Sequence, residues 1–167
     1  METYELKNDL NVFGFQVKTF PEGIGDAFDS LIDKVQDGRN RSYYGISLFS
    51  DDKVIYIAAV QEKNRGEAEK YKCDRYRIER GKYFKVTVKD WRTKTASIKD
   101  VFHEMMKDKN ADHSKPCIEW YKNDDEMECM VKVIWKRPNI SSAGAPSPPV
   151  PLQKVFKYLL NACRRIR

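Results

Sequence analysis

The chain has 167 residues, of which 41% are hydrophobic, 34% are charged and 12% are aromatic. This length allows one ordinary domain with a buried core, and the composition excludes disorder along the whole chain. Five of the six net positive charges fall in residues 139–167, which contain no acid, so the remainder is nearly balanced and shows no basic stripe typical of nucleic-acid binding.

The sequence also limits location and metal chemistry. No apolar run is long enough to span a membrane, and residues 1–10 carry charges where a signal peptide would be apolar, so we expect a cytoplasmic protein. The cysteines show no CxxC pairing, and only two histidines could complete a zinc site. We therefore expect no metal and no cofactor, and free thiols at Cys73, Cys117, Cys129 and Cys163.

The first half of the chain predicts a strand, a helix and a hairpin in that order. Apolar and polar residues alternate from Phe13 to Val17, which indicates a strand with one buried face. The helix is predicted from apolar residues at the spacing of one helix face, and polar turn residues then separate the two strands of the hairpin. The residues that carry these signals are Phe28, Leu31, Ile32 and Val35 for the helix and 45–49 and 54–60 for the hairpin.

The second half repeats this order about 70 positions later, as a pattern and not as residue identity. Alternation from Phe84 to Val88 predicts the strand, and apolar spacing from Ile98 to Met105 predicts the helix. Residues 117–121 and 127–135 predict the hairpin.

The repeat predicts an α+β fold with two duplicated βαββ units. One such unit leaves its sheet open, so two units should associate about a pseudo-two-fold axis into one antiparallel sheet, with the helices on one face and a ligand cleft on the other. We assign a domain to residues 1–138, with the first repeat at 10–60, a crossover at 61–81 and the second repeat at 82–136.

Two short segments carry a family resemblance. Residues 78–83 read IERGKY and residues 117–124 read CIEWYKND, and with the order and spacing of the predicted elements they resemble the GyrI-like family, the effector-binding domain of multidrug-sensing bacterial transcription regulators of the AraC and MerR types. The resemblance implies an aromatic cleft whose glutamate selects cationic, lipophilic compounds, and Glu119 is the residue that matches it. Such regulators carry a DNA-binding helix-turn-helix before this domain, whereas this chain enters its first strand almost at once, so we expect a stand-alone form with no DNA-binding domain.

Alternation in the strand 117–121 separates Glu119 from its neighbours. By analogy with Ile46 and Leu48 of the first repeat, we expect Ile118 and Trp120 to meet the helices, which leaves Glu119 facing the cleft. A carboxylate among rings is poorly hydrated, which raises its pKa and favours a bound cation. The predicted ligand-binding residues are Glu119, Tyr121, Tyr83, Phe49 and Trp91.

Three functions remain open at this point. The first is binding of lipophilic, cationic small molecules for sensing or sequestration. The second is hydrolysis of strained electrophilic compounds with Glu119 as general base and Tyr121 beside it, since some GyrI-like proteins resemble such hydrolases. The third is interaction with gyrase or another regulatory role, which the family name implies for some members, although no acidic DNA-mimic surface supports it.

The C-terminal region predicts an appendage. Residues 139–151 are rich in proline and serine and lack charge, which is typical of a linker. Residues 152–167 place an apolar stripe opposite basic residues, which predicts an amphipathic helix. This helix could dock on the domain, mediate a homodimer, contact a membrane surface or nucleic acid, or form a disordered extension.

Overall fold

The structure is a computed structural model that describes residues 1–50 and 53–134. The predicted linker at 139–151 and the predicted helix at 152–167 lie outside the described residues, as does the end of the second repeat. Of the four cysteines, Cys73, Cys117 and Cys129 are described, and they are free thiols.

The described residues form an α+β fold, which confirms the predicted fold class. No helix within 1–50 and 53–134 has the length and apolar character to cross a bilayer. The first half contains β1 (Glu2–Leu6), β2 (Leu10–Gln16), α1 (Ile24–Lys34), β3 (Tyr43–Ser50) and β4 (Lys53–Gln61). The second half contains α2 (Glu67–Lys70), β5 (Asp74–Ile78), β6 (Gly81–Lys89), α3 (Thr95–Met106), β7 (Cys117–Tyr121) and β8 (Glu126–Lys132).

One curled antiparallel sheet holds all eight strands in the order β1-β6-β8-β7-β3-β4-β2-β5. The two predicted hairpins meet at its centre, where β3 pairs with β7 and Ile46 lies opposite Ile118. Those two residues are 72 positions apart, which is the spacing between the two predicted hairpins.

The edge strands β1 and β5 were not predicted, and each pairs with a strand of the other half. The strand β1 pairs with β6, and β5, within the segment predicted as a crossover, pairs with β2. The strand β5 reads DRYRI, in which Arg75 and Arg77 occupy one face and Asp74 lies on the other. Charge on an exposed edge strand discourages pairing with other chains, and it also hides the apolar signal from which strands are predicted.

The two helices cover the same face of the sheet. Leu31 of α1 is fully buried in a cluster with Phe13 of β2 and Tyr56 of β4. Met105 of α3 is buried with Met127 and other residues of β7 and β8. The apolar stripe of each helix therefore packs on the strands of its own half, as the shared 3.6-residue period requires.

The predicted facing of the central strands was wrong. Ile46, Ile118 and Trp120 belong to a third cluster on the sheet face away from the helices, together with Tyr44. Alternation shows which residues share a face, but it does not show which face the helices cover. Glu119 therefore lies on the helix-covered face, and the candidate site lies between α1 and α3 instead of on the opposite side.

Candidate functional site

The site is centred on Glu119 in the middle strand β7. Gly45 of β3 lies directly opposite Glu119, and Tyr121 lies two residues further along β7 on the same face. Tyr56 of β4 pairs with Ser47 of β3, which brings its ring toward the same position. Three adjacent strands thus place one carboxyl and two phenol groups together on the helix-covered face.

Both tyrosine hydroxyls donate to the same oxygen of the glutamate. Tyr56 Oη lies 2.6 Å from Glu119 Oε2, and Tyr121 Oη also lies 2.6 Å from that atom. The two hydroxyl oxygens are 3.2 Å apart. Hydrogen bonds to an ionised carboxylate are short and strong, so this arrangement fixes the orientation of the Glu119 side chain.

The second carboxyl oxygen is available to a ligand. Within the described residues Glu119 Oε1 accepts no hydrogen bond. Glu119 as a whole residue is partly buried. The same carboxyl group therefore has one oxygen held by two hydrogen bonds and one with no hydrogen bond from the described residues.

Gly45 provides the space in which the three side chains meet. A Cβ atom at this position would lie 2.1 Å from Tyr56 Oη and 2.6 Å from Glu119 Oε2. Both distances are far below van der Waals contact, so no larger residue fits without displacing the hydrogen-bonded group. The glycine is required here because of this close approach.

The electrostatic environment of Glu119 differs from that of a structural ion pair. Burial raises the pKa of Glu119, and the hydrogen bonds from Tyr121 and Tyr56 oppose this rise. Burial also raises the pKa of Tyr121, and the negative charge of Glu119 raises it further. Glu119 takes part in none of the ion pairs formed by the described residues. Its negative charge is therefore not compensated by a basic side chain of this part of the chain.

Aromatic rings from both helical regions surround the phenols. Phe28 of α1 contacts Tyr121 edge-on with 5.0 Å between ring centres, and Trp91, just before α3, contacts the same ring at 4.9 Å. Phe20, before α1, stacks on Tyr56 at 5.2 Å. The site therefore combines one carboxylate with an apolar aromatic surround, a combination suited to a lipophilic cation.

The structure brings together three of the five predicted site residues and leaves a fourth nearby. Tyr121 contacts both Glu119 and Trp91. Phe49 lies on the same sheet face and packs with the α3 cluster, to which Trp91 and Tyr121 also belong.

Tyr83 does not join this group. It lies in the cluster on the opposite sheet face, where it is 3% exposed and its hydroxyl donates to the backbone oxygen of Glu79 at 2.5 Å. Alternation in β6 already puts Tyr83 out of phase with Phe84, Val86 and Val88, which had marked the predicted buried face.

Sequence reasoning missed Tyr56, Gly45, Phe28 and Phe20. Tyr56 and Gly45 lie within the hairpin predicted from the first repeat, so their strands were predicted but their roles were not. Pairing between β3 and β7 is what places Gly45 against Glu119, and this contact joins residues 74 positions apart. A local pattern carries no signal for such a contact, although a glycine within a strand is a general sign of close approach.

Comparison with known proteins gives a fold but no family. No protein-family model matches this chain, and no curated protein matches it in sequence. Solved structures do match. An integron cassette protein from the mobile metagenome of Vibrio cholerae, VCH_CASS2, superposes with a TM-score of 0.61 and 16% identity, over 80% of this chain and 95% of that one.

Two further structures have a similar fold. A protein from Staphylococcus aureus MU50, described as a bacterial transcription regulation protein, gives a TM-score of 0.54 with 16% identity, over 79% of this chain and 96% of that one. SAV2435, solved with bound tetraphenylphosphonium, gives a TM-score of 0.55 with 16% identity, over 80% of this chain and 93% of that one. The chain therefore shares its fold with a protein described as a transcription regulation protein and with a protein solved with a small cationic aromatic ligand.

Proposed function

We propose that this chain is a GyrI-like domain that binds lipophilic, cationic small molecules at Glu119 and so senses or sequesters drug-like or toxic compounds. The observation that carries the proposal is a partly buried carboxylate with one oxygen that accepts no hydrogen bond and with no basic partner among the described residues. An uncompensated charge in such a place costs free energy, and a bound cation would recover it.

The contrast with other buried acids supports this interpretation. Glu67 and Glu128 are the buried charged residues of the described chain, and each has a basic partner, Arg41 and Lys85 respectively. The two buried carboxylates outside the candidate site are thus each neutralised by a basic side chain of the same fold. The bound tetraphenylphosphonium of SAV2435 further supports a cationic ligand, since that ion offers a positive charge enclosed in phenyl rings.

The two parts of the site contribute differently to binding. At contact distance the charge attraction is worth roughly 4 kcal/mol for an effective dielectric constant near 20. One ring face offers a cation about 0.5–2 kcal/mol. The carboxylate therefore decides that the ligand is a cation, and Trp91, Phe28 and Tyr121 select for an apolar body.

A calorimetric titration with tetraphenylphosphonium tests the proposal. The wild-type protein should bind it, and Glu119→Gln should weaken binding by roughly 10- to 1,000-fold, because the upper bound is loss of the whole charge attraction. Glu126→Gln is the matched control, since it removes the same charge from an outward-facing residue of β8 and should bind like the wild type. Equal affinity in Glu119→Gln and the wild type would contradict the proposal.

A hydrolase is the second candidate, and the contact between Tyr121 and Glu119 favours it. A carboxylate with a raised pKa can serve as a general base that takes a proton from an attacking water at Oε1, and the hydrogen bond from Tyr121 to Oε2 holds this carboxylate in place. Multiple turnovers of a strained electrophile such as an epoxide, lost in Glu119→Gln, would support it. Consumption of one equivalent or less per chain would exclude it and leave binding alone.

A further inference from the structure

The hydroxyl protons of Tyr56 and Tyr121 determine which hydrogen bonds remain for a ligand of Glu119. A tyrosine hydroxyl carries a single proton, and a carboxylate carries none. Tyr56 and Tyr121 both place their hydroxyls 2.6 Å from Glu119 Oε2. When Glu119 is ionised, both phenol protons are committed to that oxygen, so neither is available to a ligand.

The atoms left for a ligand are therefore acceptors. Glu119 is partly buried, and its Oε1 accepts no hydrogen bond from the described residues. The oxygen of Tyr121 belongs to a partly buried side chain and retains lone pairs, whereas Tyr56 is only 1% exposed. Among the carboxyl and the two phenols, Oε1 and the Tyr121 oxygen are thus the atoms left for a ligand, and both are acceptors.

Such a surface distinguishes between two kinds of cation. A cation that carries N–H groups can donate to Oε1 in a charge-assisted hydrogen bond, and a second N–H can reach the Tyr121 oxygen. A fully substituted cation gains charge attraction and ring contacts, but it covers the acceptors without satisfying them. A desolvated acceptor without a partner lowers affinity.

We infer that this site prefers cations with N–H groups, such as amidinium, guanidinium and protonated amines on an aromatic body, over quaternary ammonium and phosphonium ions. The inference rests on the proposed function, because it specifies the ligand class of the same site. Phe28 and Trp91, which contact the Tyr121 ring, accommodate the aromatic body in either case.

A matched pair of ligands tests this preference. 4-Phenylbenzamidinium and its N,N,N′,N′-tetramethyl derivative carry the same charge and the same two rings, but only the first has N–H groups. In calorimetric titrations near neutral pH the first should bind about 10- to 100-fold more tightly, the range expected for one charged hydrogen bond. Tetraphenylphosphonium serves as a reference cation without N–H groups.

The variant Tyr121→Phe separates hydrogen bonding from the bulk of the methyl groups. It removes one acceptor and keeps the carboxylate, so the ratio between the two affinities should fall if hydrogen bonds cause the preference. A preference due to bulk would give the same ratio in both proteins and would overturn the inference.

The remaining outcomes distinguish the two proposals. Equal affinity for the two amidinium ions, or tighter binding of the tetramethyl derivative, would overturn the preference and leave cation binding intact. Failure of the wild-type protein to bind either amidinium ion or tetraphenylphosphonium would overturn the proposed function itself.

Discussion

Two glutamates of this fold illustrate opposite uses of a carboxylate. Glu67 at the start of α2 is 7% exposed and pairs with Arg41 through two contacts of 2.7 Å, while the backbone amide of Lys63 donates to it at 2.8 Å. Glu119 has two phenol partners, no basic partner in the described chain and one oxygen left open. One acid is neutralised by the fold, and the other keeps an uncompensated charge.

The pKa values of the two acids move in opposite directions. The hydrogen bonds from Arg41 lower the pKa of Glu67 to about 2, whereas burial raises the pKa of Glu119. A paired acid such as Glu67 stabilises the loops that it connects. An unpaired acid such as Glu119 lowers the stability of the fold, and its charge serves reactivity or binding instead. Five predictions test this contrast.

The largest effect is expected for Glu67→Gln. Removing one member of a buried ion pair leaves Arg41 charged and unpaired, which should lower the free energy of unfolding by about 3–5 kcal/mol. Urea unfolding measures this loss. The matched control is Glu69→Gln, which breaks the exposed pair between Glu69 and Arg75 and should change stability little. Similar losses in both variants would contradict the difference between the two sites.

The second effect is expected for Gly45→Ala. The added methyl group overlaps Tyr56 Oη and Glu119 Oε2, so it should cost about 1–3 kcal/mol of stability and also weaken cation binding. Gly25→Ala is the control, because nothing lies within 4 Å of the new methyl group at that position of α1. A Gly45→Ala protein with wild-type stability and affinity would show that the side chains of Tyr56 and Glu119 do not need a glycine at position 45.

A smaller effect of opposite sign is expected for Glu119→Gln. The amide keeps an acceptor for the two phenols and removes the uncompensated charge, so the free energy of unfolding near neutral pH should rise by about 0.5–2 kcal/mol. This gain should accompany the loss of cation affinity. Glu126→Gln again serves as the control in urea unfolding. A clear loss of stability in Glu119→Gln would mean that the carboxylate contributes to folding.

The smallest effect is expected for the pH dependence of the stability differences between the wild type and the Glu67→Gln and Glu119→Gln variants. Glu67 has a lowered pKa, so its contribution is present above the ordinary value of 4.5 and is lost as the pH falls toward 2. Glu119 has a raised pKa, so the advantage of Glu119→Gln should exist at neutral pH and disappear as the pH falls toward 4.5. Unfolding of the variants between neutral and acidic pH measures both trends. An advantage of Glu119→Gln that persists at pH values where the wild-type acid is protonated would exclude charge as its cause.

The affinity of the protein for a cationic ligand should also fall as the pH is lowered. Tetraphenylphosphonium keeps its charge at every pH, so a loss of affinity on acidification reports protonation of Glu119 and should begin above 4.5.

The elements of both halves were predictable because each depends on a local period. Strands β2 and β6, helices α1 and α3, and the two hairpins follow from alternation or from helical spacing, and these signals depend only on nearby residues. The edge strands β1 and β5 were missed because they have little apolar surface to bury and are held by pairing with the other half.

The candidate site was predictable only in part. Glu119 and Tyr121 share one strand face by alternation alone, and the family resemblance pointed to the same acid. Tyr56 and Gly45 reach that acid only because β3 pairs with both β4 and β7. Tyr83 was assigned to the site although alternation in β6 places it on the face opposite to Phe84, Val86 and Val88, and its hydroxyl meets a backbone oxygen instead of a ligand.

The amino-acid sequence by itself determined the order of strands and helices, the set of residues that share each face and the presence of an acid among aromatic residues. Only the tertiary structure decided which face the helices cover, which strands lie next to each other and that this acid has no basic partner in the described chain. The reason is physical, since periodicity acts over a few residues, whereas the burial and charge of Glu119 depend on groups brought together from distant parts of the chain.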